Sequence, residues 1–239
     1  MRGAIRFRGA VPEVPARAVQ DAGRAGRAQE TRAARAVRRV KWLTGRGAAA
    51  ALAVGLATIW GFGWRGVVML LAFFVSGSLL TPVAKGGEGA AGGGGRRRNE
   101  RQVIANGGVA ALAALAGSWV WFAGALAAAT ADTWATEIGS HSGTQPRLIT
   151  TGKPVPAGTD GGMTLLGTTG GIAGAGLVAG LSYGFGHRGA LAVAVAGVVG
   201  MLVDSLLGAT VQGNVRWMDN DAVNLAATLT GAACAGLLA

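Results

Sequence analysis

Acidic and hydroxyl side chains recur at close spacing inside stretches of this sequence that are otherwise apolar. The densest string runs from Thr130 to Gly139 and contains Asp132 and Glu137 together with three threonines. On a helix, residues three and four positions apart are neighbours, so these polar groups would lie on about one face. Mg²⁺ accepts one or two carboxylates together with phosphate oxygens and water. Asp132 and Glu137 are therefore the predicted metal ligands, and a hydrogen-bonded seam between helices is the alternative interpretation.

A second string, residues 148–162, has the composition of a phosphate-binding loop. Lys153 follows Gly152, two prolines stiffen the next turn, and Gly158 precedes Thr159. Glycine lets the backbone approach a ligand closely, and backbone N–H groups can then bind phosphate oxygens. Lys153, Gly158 and Thr159 are therefore candidate contacts to phosphate oxygens. A simple interfacial turn is the alternative, since the chain has no Walker A sequence.

Two further strings lie at the ends of apolar segments. Asp204-Ser205 comes late in one segment and echoes the first string. Asp219 opens the run 219–221, which could simply cap the next helix or join the other polar strings in a site. Three asparagines lie at the same level of the membrane: Asn106, Asn220 and Asn224.

The elements that must position these residues are membrane helices. The chain is 51% hydrophobic and 14% charged, whereas soluble domains carry roughly 25% charged residues. A spanning helix needs about 20 residues, and six apolar segments approach or exceed that length: 47–63, 66–84, 103–139, 162–184, 189–211 and 222–239. Segment 103–139 is long enough for two short crossings with a turn near Gly124. We predict an all-α, polytopic membrane bundle of about seven (six to seven) transmembrane helices over residues 47–239.

The positive charge is concentrated outside this bundle. The chain carries a formal net charge of +11, and residues 1–50 hold 12 of its 22 Lys and Arg residues. We expect residues 1–46 to form a flexible basic tail, or residues 24–41 to form an amphipathic helix on an anionic membrane surface. This distribution argues against nucleic acid as a partner. The single cysteine, Cys234, excludes an intrachain disulfide framework.

Lys and Arg residues also set the orientation, because cytoplasmic loops of membrane proteins are enriched in them. The tail and the loop 85–101 are the most basic segments, so both are predicted to be cytoplasmic. With two crossings in 103–139, loops 140–161 and 212–221 are cytoplasmic as well. All the polar strings then meet at one end of the membrane domain.

The strings together resemble the integral-membrane family known as domain of unknown function 92, which includes the plant phytyl-phosphate kinase. The resemblance covers about residues 50–239 and rests on five segments in order: 102–108, 131–139, 149–159, 204–209 and 219–225. A more distant similarity links the chain to CTP-dependent dolichol and phytol kinases. It rests on the Asp132 string, on Lys153 with Gly158-Thr159, and on Asp219-Asn220. The chain differs in the spacing after Lys153 and in Pro82, where a basic residue is expected.

The resemblance implies an integral membrane kinase that phosphorylates an isoprenoid (prenyl) phosphate or a prenol. It further implies Mg²⁺ and CTP, or another nucleoside triphosphate such as ATP, as the phosphoryl donor. The resemblance then implies that Asp132 and Glu137 hold the metal and that Asp204 and Asp219 support a metal or orient the acceptor. The implied nucleotide contacts are Lys153, Gly158, Thr159, Asn106, Asn220 and Asn224. A small-solute or ion transporter is the alternative, because the Asp132 and Asp204 strings could mark an internal repeat. The third interpretation is a structural scaffold that buries its carboxylates without using them for catalysis or transport.

The loop charges predict the topology. A reporter fused after Gly95 and another inside loop 141–160 should both report the cytoplasm, while a reporter at His187 should report the opposite side. Opposite sides for the first two reporters would contradict two crossings in 103–139 and leave that segment as one long helix.

Overall fold

The computed structural model describes residues 42–81 and 98–239. The basic tail, with its predicted amphipathic segment 24–41, lies outside the described residues. The same holds for most of loop 85–101 and for Pro82.

The described part of the chain is helical, with one short hairpin. Its helices are α1 (Gly45–Leu80), α2 (Glu100–Leu115), α3 (Trp119–Gly139), α4 (Leu165–Gly184), α5 (Ala190–Thr210) and α6 (Asn220–Leu238). Strands β1 (Arg147–Leu148) and β2 (Gly162–Met163) pair antiparallel between α3 and α4. Helices α1, α4, α5 and α6 are long and apolar enough to cross a membrane. The chain is therefore a polytopic helical membrane protein.

Helix α1 is folded back on itself at Gly63. This residue has φ +56°, a conformation that glycine adopts without steric cost. A Cβ atom placed on Gly66 would lie 2.7 Å from Cγ2 of Thr58, although eight residues of straight helix would separate the two by about 12 Å. The ring centres of Trp42 and Phe74 are 5.7 Å apart for the same reason. The two arms, 45–62 and 64–80, correspond to the predicted segments 47–63 and 66–84.

The predicted turn near Gly124 is wrong. Segment 103–139 is divided into α2 and α3 around Gly117, which has φ +70°. Gly124 lies inside α3, where a Cβ atom would come within 2.6 Å of Ala235 Cβ on α6. The missing side chain at Gly124 therefore serves a contact between helices and not a turn.

Small residues bring the other helices against α3, which lies at the centre of the bundle. Every residue from Phe122 to Ala131 is buried. On the neighbouring helices, a Cβ atom placed on Gly231 of α6 or Gly200 of α5 would come within 2.6 Å of Ala128 Cβ. Gly174 of α4 approaches the carbonyl oxygen of Thr130 in the same way. Small residues at such crossings allow backbones to approach closely, which is how membrane helices associate.

The two ends of the bundle differ in chemistry. At one end the ring of Trp119 lies 5.0 Å from Phe62 and 6.1 Å from Phe185, and it stacks on His187 at 4.1 Å. The opposite end is where α1, α2, α4 and α6 begin and where α3 and α5 end. We call it the polar end, because all four polar strings of the sequence lie there.

Two glycines of α4 test this packing. Gly174→Val should lower the free energy of unfolding by about 1–3 kcal/mol, because the added atoms meet the α3 backbone. Gly176→Val is the matched control, since nothing lies within 4 Å of a Cβ atom there. Thermal unfolding in detergent compares the two, and equal melting temperatures would contradict the close α3–α4 contact.

Candidate functional site

Asp132 and Asp204 face each other between α3 and α5. Their carboxyl groups are close enough to interact with one another. The Oδ2 atom of Asp204 is buried and has no hydrogen-bond partner among the described residues. Two facing carboxylates need a proton or a cation between them, because their like charges repel in a poorly solvated place. This pair is the strongest candidate for a ligand site at the polar end.

The loop between α3 and α4 is docked beside this pair. A Cβ atom on Gly161, which has φ +73°, would lie 2.5 Å from the carbonyl oxygen of Ser205 and 2.7 Å from the backbone nitrogen of Ala209. Only glycine fits here, since both the backbone angle and the contact exclude a side chain. Asp160, the preceding residue, is close enough to Asp204 for its charge to act on that carboxyl group.

Backbone hydrogen bonds hold the rest of this loop in a defined shape. Ile149 N–H donates to the Gly161 carbonyl at 3.0 Å, and the Arg147 guanidinium donates to the Gly152 carbonyl at 2.8 Å. The predicted phosphate contacts Lys153, Gly158 and Thr159 all lie on the exposed outside of the loop. A cavity of about 420 Å³ opens at its base, lined by Thr144, Gln145, Arg147 and Thr164 together with the apolar residues Pro154, Met163 and Leu165.

Glu137 lies on a different flank of α3 from Asp132. It accepts a hydrogen bond from Thr81 Oγ1 at 2.8 Å, at the end of the return arm of α1. Five helical positions separate the two acids, which places them about 140° apart around the helix axis. In the part of the chain that the structure describes, no three His, Cys, Asp or Glu side chains are arranged to hold a metal ion. The structure thus pairs Asp132 with Asp204, and a shared Asp132–Glu137 metal site stays a prediction.

Asp219 is occupied by contacts within the bundle. Its Oδ1 caps α6 by accepting the Ala222 N–H at 3.0 Å, and its Oδ2 accepts a hydrogen bond from Arg101 at 2.6 Å. The Ala222 N–H and then the Arg101 guanidinium lower the pKa of Asp219. These contacts match the capping interpretation, and they tie the start of α6 to the start of α2.

The predicted asparagine contacts occupy the same end of the bundle in different settings. Asn106 donates to the Gln102 carbonyl of its own helix at 3.1 Å. Asn220 is exposed at the first turn of α6, while Asn224 is buried one turn further on. Among the described residues, no hydrogen bond joins these three side chains to the Asp132–Asp204 pair.

Arg98 lies partly buried at the polar end of the bundle. Its guanidinium lies 5.9 Å from the ring centre of Phe73 and 5.4 Å from that of Phe74. Burial lowers its pKa, against the opposing attraction of Glu137. The residue ends a run of three arginines that the sequence presents as a topology signal, and nothing local distinguishes it from its neighbours.

The double role of Asp219 predicts how its variants differ. Since its pKa is held below the ordinary 3.8, the carboxylate adds stability above about pH 4 and loses it as pH falls through the lowered pKa. At pH 7, Asp219→Ala should lower the melting temperature more than Asp219→Asn, because asparagine still caps the helix. The Asn variant and the wild type should converge in stability as the pH falls below the lowered pKa of Asp219. An Asn variant as stable as the wild type at pH 7 would contradict the role of the Arg101 pair.

Comparison with known proteins places the chain among membrane proteins. The family described as Integral membrane protein DUF92 matches residues 31–232. Uncharacterized membrane protein MJ0933 of Methanocaldococcus jannaschii is 33% identical over 197 residues, which is 79% of this chain and 82% of the relative. Uncharacterized membrane protein sll0875 of Synechocystis is 33% identical over 211 residues, 82% of each chain. Protein VTE6, chloroplastic, of Arabidopsis thaliana is 29% identical over 203 residues, 77% of this chain and 61% of the relative. No solved structure matches. The chain thus belongs to the Integral membrane protein DUF92 family.

Proposed function

We propose that this chain is a membrane-embedded kinase that transfers a phosphoryl group from a nucleoside triphosphate to a prenyl phosphate or a prenol. CTP is the proposed donor, with ATP as the other nucleotide to test. The observation that carries the proposal is the Asp132–Asp204 pair, with its unpartnered oxygen, next to a glycine-rich loop at one end of an apolar bundle. The motifs shared with the family that includes the plant phytyl-phosphate kinase supply the reaction class.

The carboxylate pair fits Mg²⁺. Two facing carboxyl groups and a buried oxygen without a partner are hard donors of the kind that Mg²⁺ binds, and Asp160 adds negative charge nearby. In this proposal Asp132 and Asp204 hold the ion, while Glu137 stays hydrogen-bonded to Thr81. When bound, Mg²⁺ would neutralise nucleotide phosphate charge and orient the phosphates.

Other residues of the chain would bind the substrates. Lys153 is exposed in a solvent-reached loop, so it can approach a phosphate without a desolvation cost, and the backbone around Gly158 is open beside it. The cavity at the base of the loop offers Gln145 and Arg147 to the base and ribose. Asn106, Asn220 and Asn224 remain proposed nucleotide contacts at the same level.

The reaction itself needs little base catalysis. An oxygen of the prenyl phosphate attacks the γ-phosphorus, the bond from that phosphorus to the β-phosphate oxygen breaks, and the nucleoside diphosphate leaves with those electrons. A phosphate monoester has its second pKa near 6, so at pH 7 most of it already carries an unprotonated nucleophilic oxygen. Positioning and charge stabilisation then supply most of the catalysis.

The proposed topology has seven crossings. With the two arms of α1 counted separately, α1 to α6 provide seven crossing segments, and the polar end faces the cytoplasm. Nucleotide would then reach the site from the aqueous side, while the lipid chain lies among the helices.

The direct test is turnover by the full chain in nanodiscs. Farnesyl phosphate with Mg²⁺ and CTP should yield farnesyl diphosphate and CDP, with ATP and farnesol run in parallel. Absence of phosphorylated product with either nucleotide and either lipid contradicts the kinase. Ion flux in proteoliposomes without product would favour the transporter alternative.

Substitutions in the carboxylate pair should separate activity from stability. Asp132→Asn and Asp204→Asn should each lower phosphoryl transfer by about two orders of magnitude or more. Each should leave the melting temperature unchanged or raised in the absence of metal, because one of two repelling charges is gone. Glu100→Gln removes an exposed acid at the same end and should change neither quantity. Full activity in Asp132→Asn would contradict the assigned role.

A further inference from the structure

We propose that Arg98 binds the phosphate group of an apolar-chain phosphate monoester, at a second subsite on the α1-facing flank of α3. The inference rests on the proposed function for its choice of lipid acceptor. Arg98 has no role in the carboxylate pair or in the loop around Lys153, and it lies on the opposite flank of α3 from Asp132.

The backbone of Arg98 is held in place by a bridge to residues 42–44, at the start of α1. Its N–H donates to the Trp42 carbonyl at 3.0 Å, and its carbonyl accepts from the Thr44 N–H at 3.0 Å. The side chain then runs beside Gly77, where a Cβ atom would lie 3.1 Å from Nη2. The guanidinium is therefore positioned before any ligand arrives, and the glycine leaves room for it.

The N–H groups of the Arg98 guanidinium are available to a ligand. An arginine carries five N–H groups and no acceptor. Among the described residues, none of these groups donates to a side chain or carbonyl, and Glu137 attracts the charge without forming an ion pair within 4 Å. The rings of Phe73 and Phe74 contact the cation through their faces. A partly desolvated fork of donors in such a place suits the oxygens of a phosphate.

The surroundings select the kind of phosphate. Phe73, Phe74 and the ring of Trp42 provide an apolar wall beside the cation, within a membrane bundle. A phosphate joined to a hydrocarbon chain can place its head on Arg98 and its chain along apolar surface. Inorganic phosphate has no hydrocarbon part that could contact those rings.

The position along α3 is suited to an acceptor. Glu137 and Asp132 are five residues apart, which corresponds to about 7.5 Å along the helix axis. The acceptor phosphate would lie on the Glu137 flank and the nucleotide phosphates on the Asp132 flank, with the transferred group between them at the polar end.

Glu137 sets the affinity of this subsite. Its carboxylate is held near Arg98 by the Thr81 hydroxyl, so it partly neutralises the cation and repels an incoming phosphate. Removing that charge should tighten phosphate binding, a gain that damage to the fold does not produce.

The test is equilibrium binding of radiolabelled farnesyl phosphate to the full chain in nanodiscs, without nucleotide. Arg98→Gln should weaken binding at least about tenfold, as expected for loss of charge-assisted hydrogen bonds. Arg98→Lys should bind a few-fold more weakly than wild type, and Glu137→Gln a few-fold more tightly. The matched control is Arg46→Gln, which removes an 88% exposed cation at the same end and should bind like wild type.

Farnesol and inorganic phosphate identify the ligand class. Farnesol binding should be the same in all variants, and inorganic phosphate at millimolar concentration should not displace farnesyl phosphate. Arg98-dependent binding of inorganic phosphate with equal affinity would overturn the lipid assignment. Wild-type protein that binds no farnesyl phosphate, Arg98→Gln that binds it normally, or Glu137→Gln that does not tighten binding would each overturn the subsite.

The kinase proposal and the subsite proposal can be contradicted independently of each other. Arg98-dependent binding without turnover supports the subsite and contradicts the kinase. Turnover with an unchanged KM for farnesyl phosphate in Arg98→Gln supports the kinase and contradicts the subsite.

Discussion

The close approach of α3 to its neighbours through glycine and alanine is the contact on which the rest of this structure depends. Gly200 and Gly231 meet Ala128, and Gly174 meets the Thr130 backbone. Because these residues have little or no side chain, the helices pack through backbone contacts. Membrane helices associate through such close packing, since inside a lipid bilayer no hydrophobic effect drives them together. The same packing places the polar half of α3 against α1, α4 and α5 at the polar end of the bundle.

In this arrangement α3 presents polar side chains to its neighbours on two different flanks. Asp132 meets α5, while Glu137 and Trp134 meet the return arm of α1, where Trp134 Nε1–H donates to Ser76 Oγ at 3.0 Å. A phosphoryl transfer needs a donor and an acceptor held separately and in line. A central helix with acidic groups on both flanks can position both, provided that each flank recognises a different phosphate.

Membership of the family ties this chain to relatives whose names describe only membrane proteins, and to a plant chloroplast protein. The basic tail, residues 1–46, where most of the excess charge lies, overlaps the family match at residues 31–46. The match extends over nearly all of the bundle, including its polar end.

The helices, their approximate limits and the gathering of polar strings at one end follow from the sequence, because hydropathy, loop charge and turn residues act locally. The fold-back near Gly63 lies between two predicted segments, and the cap formed by Asp219 was one of its two interpretations. Tertiary structure was needed wherever the answer depended on helix rotation or on a distant neighbour. A glycine in a turn and a glycine at a helix crossing look alike in the sequence. The contact of Gly124 with α6 and the positive φ of Gly117 distinguish the two. Asp132 faces Asp204 and not Glu137 because α5 packs on that flank of α3. Arg98 acquires its surroundings only from the fold-back of α1, which brings Phe73, Phe74 and Gly77 to it from a segment more than twenty residues earlier in the chain.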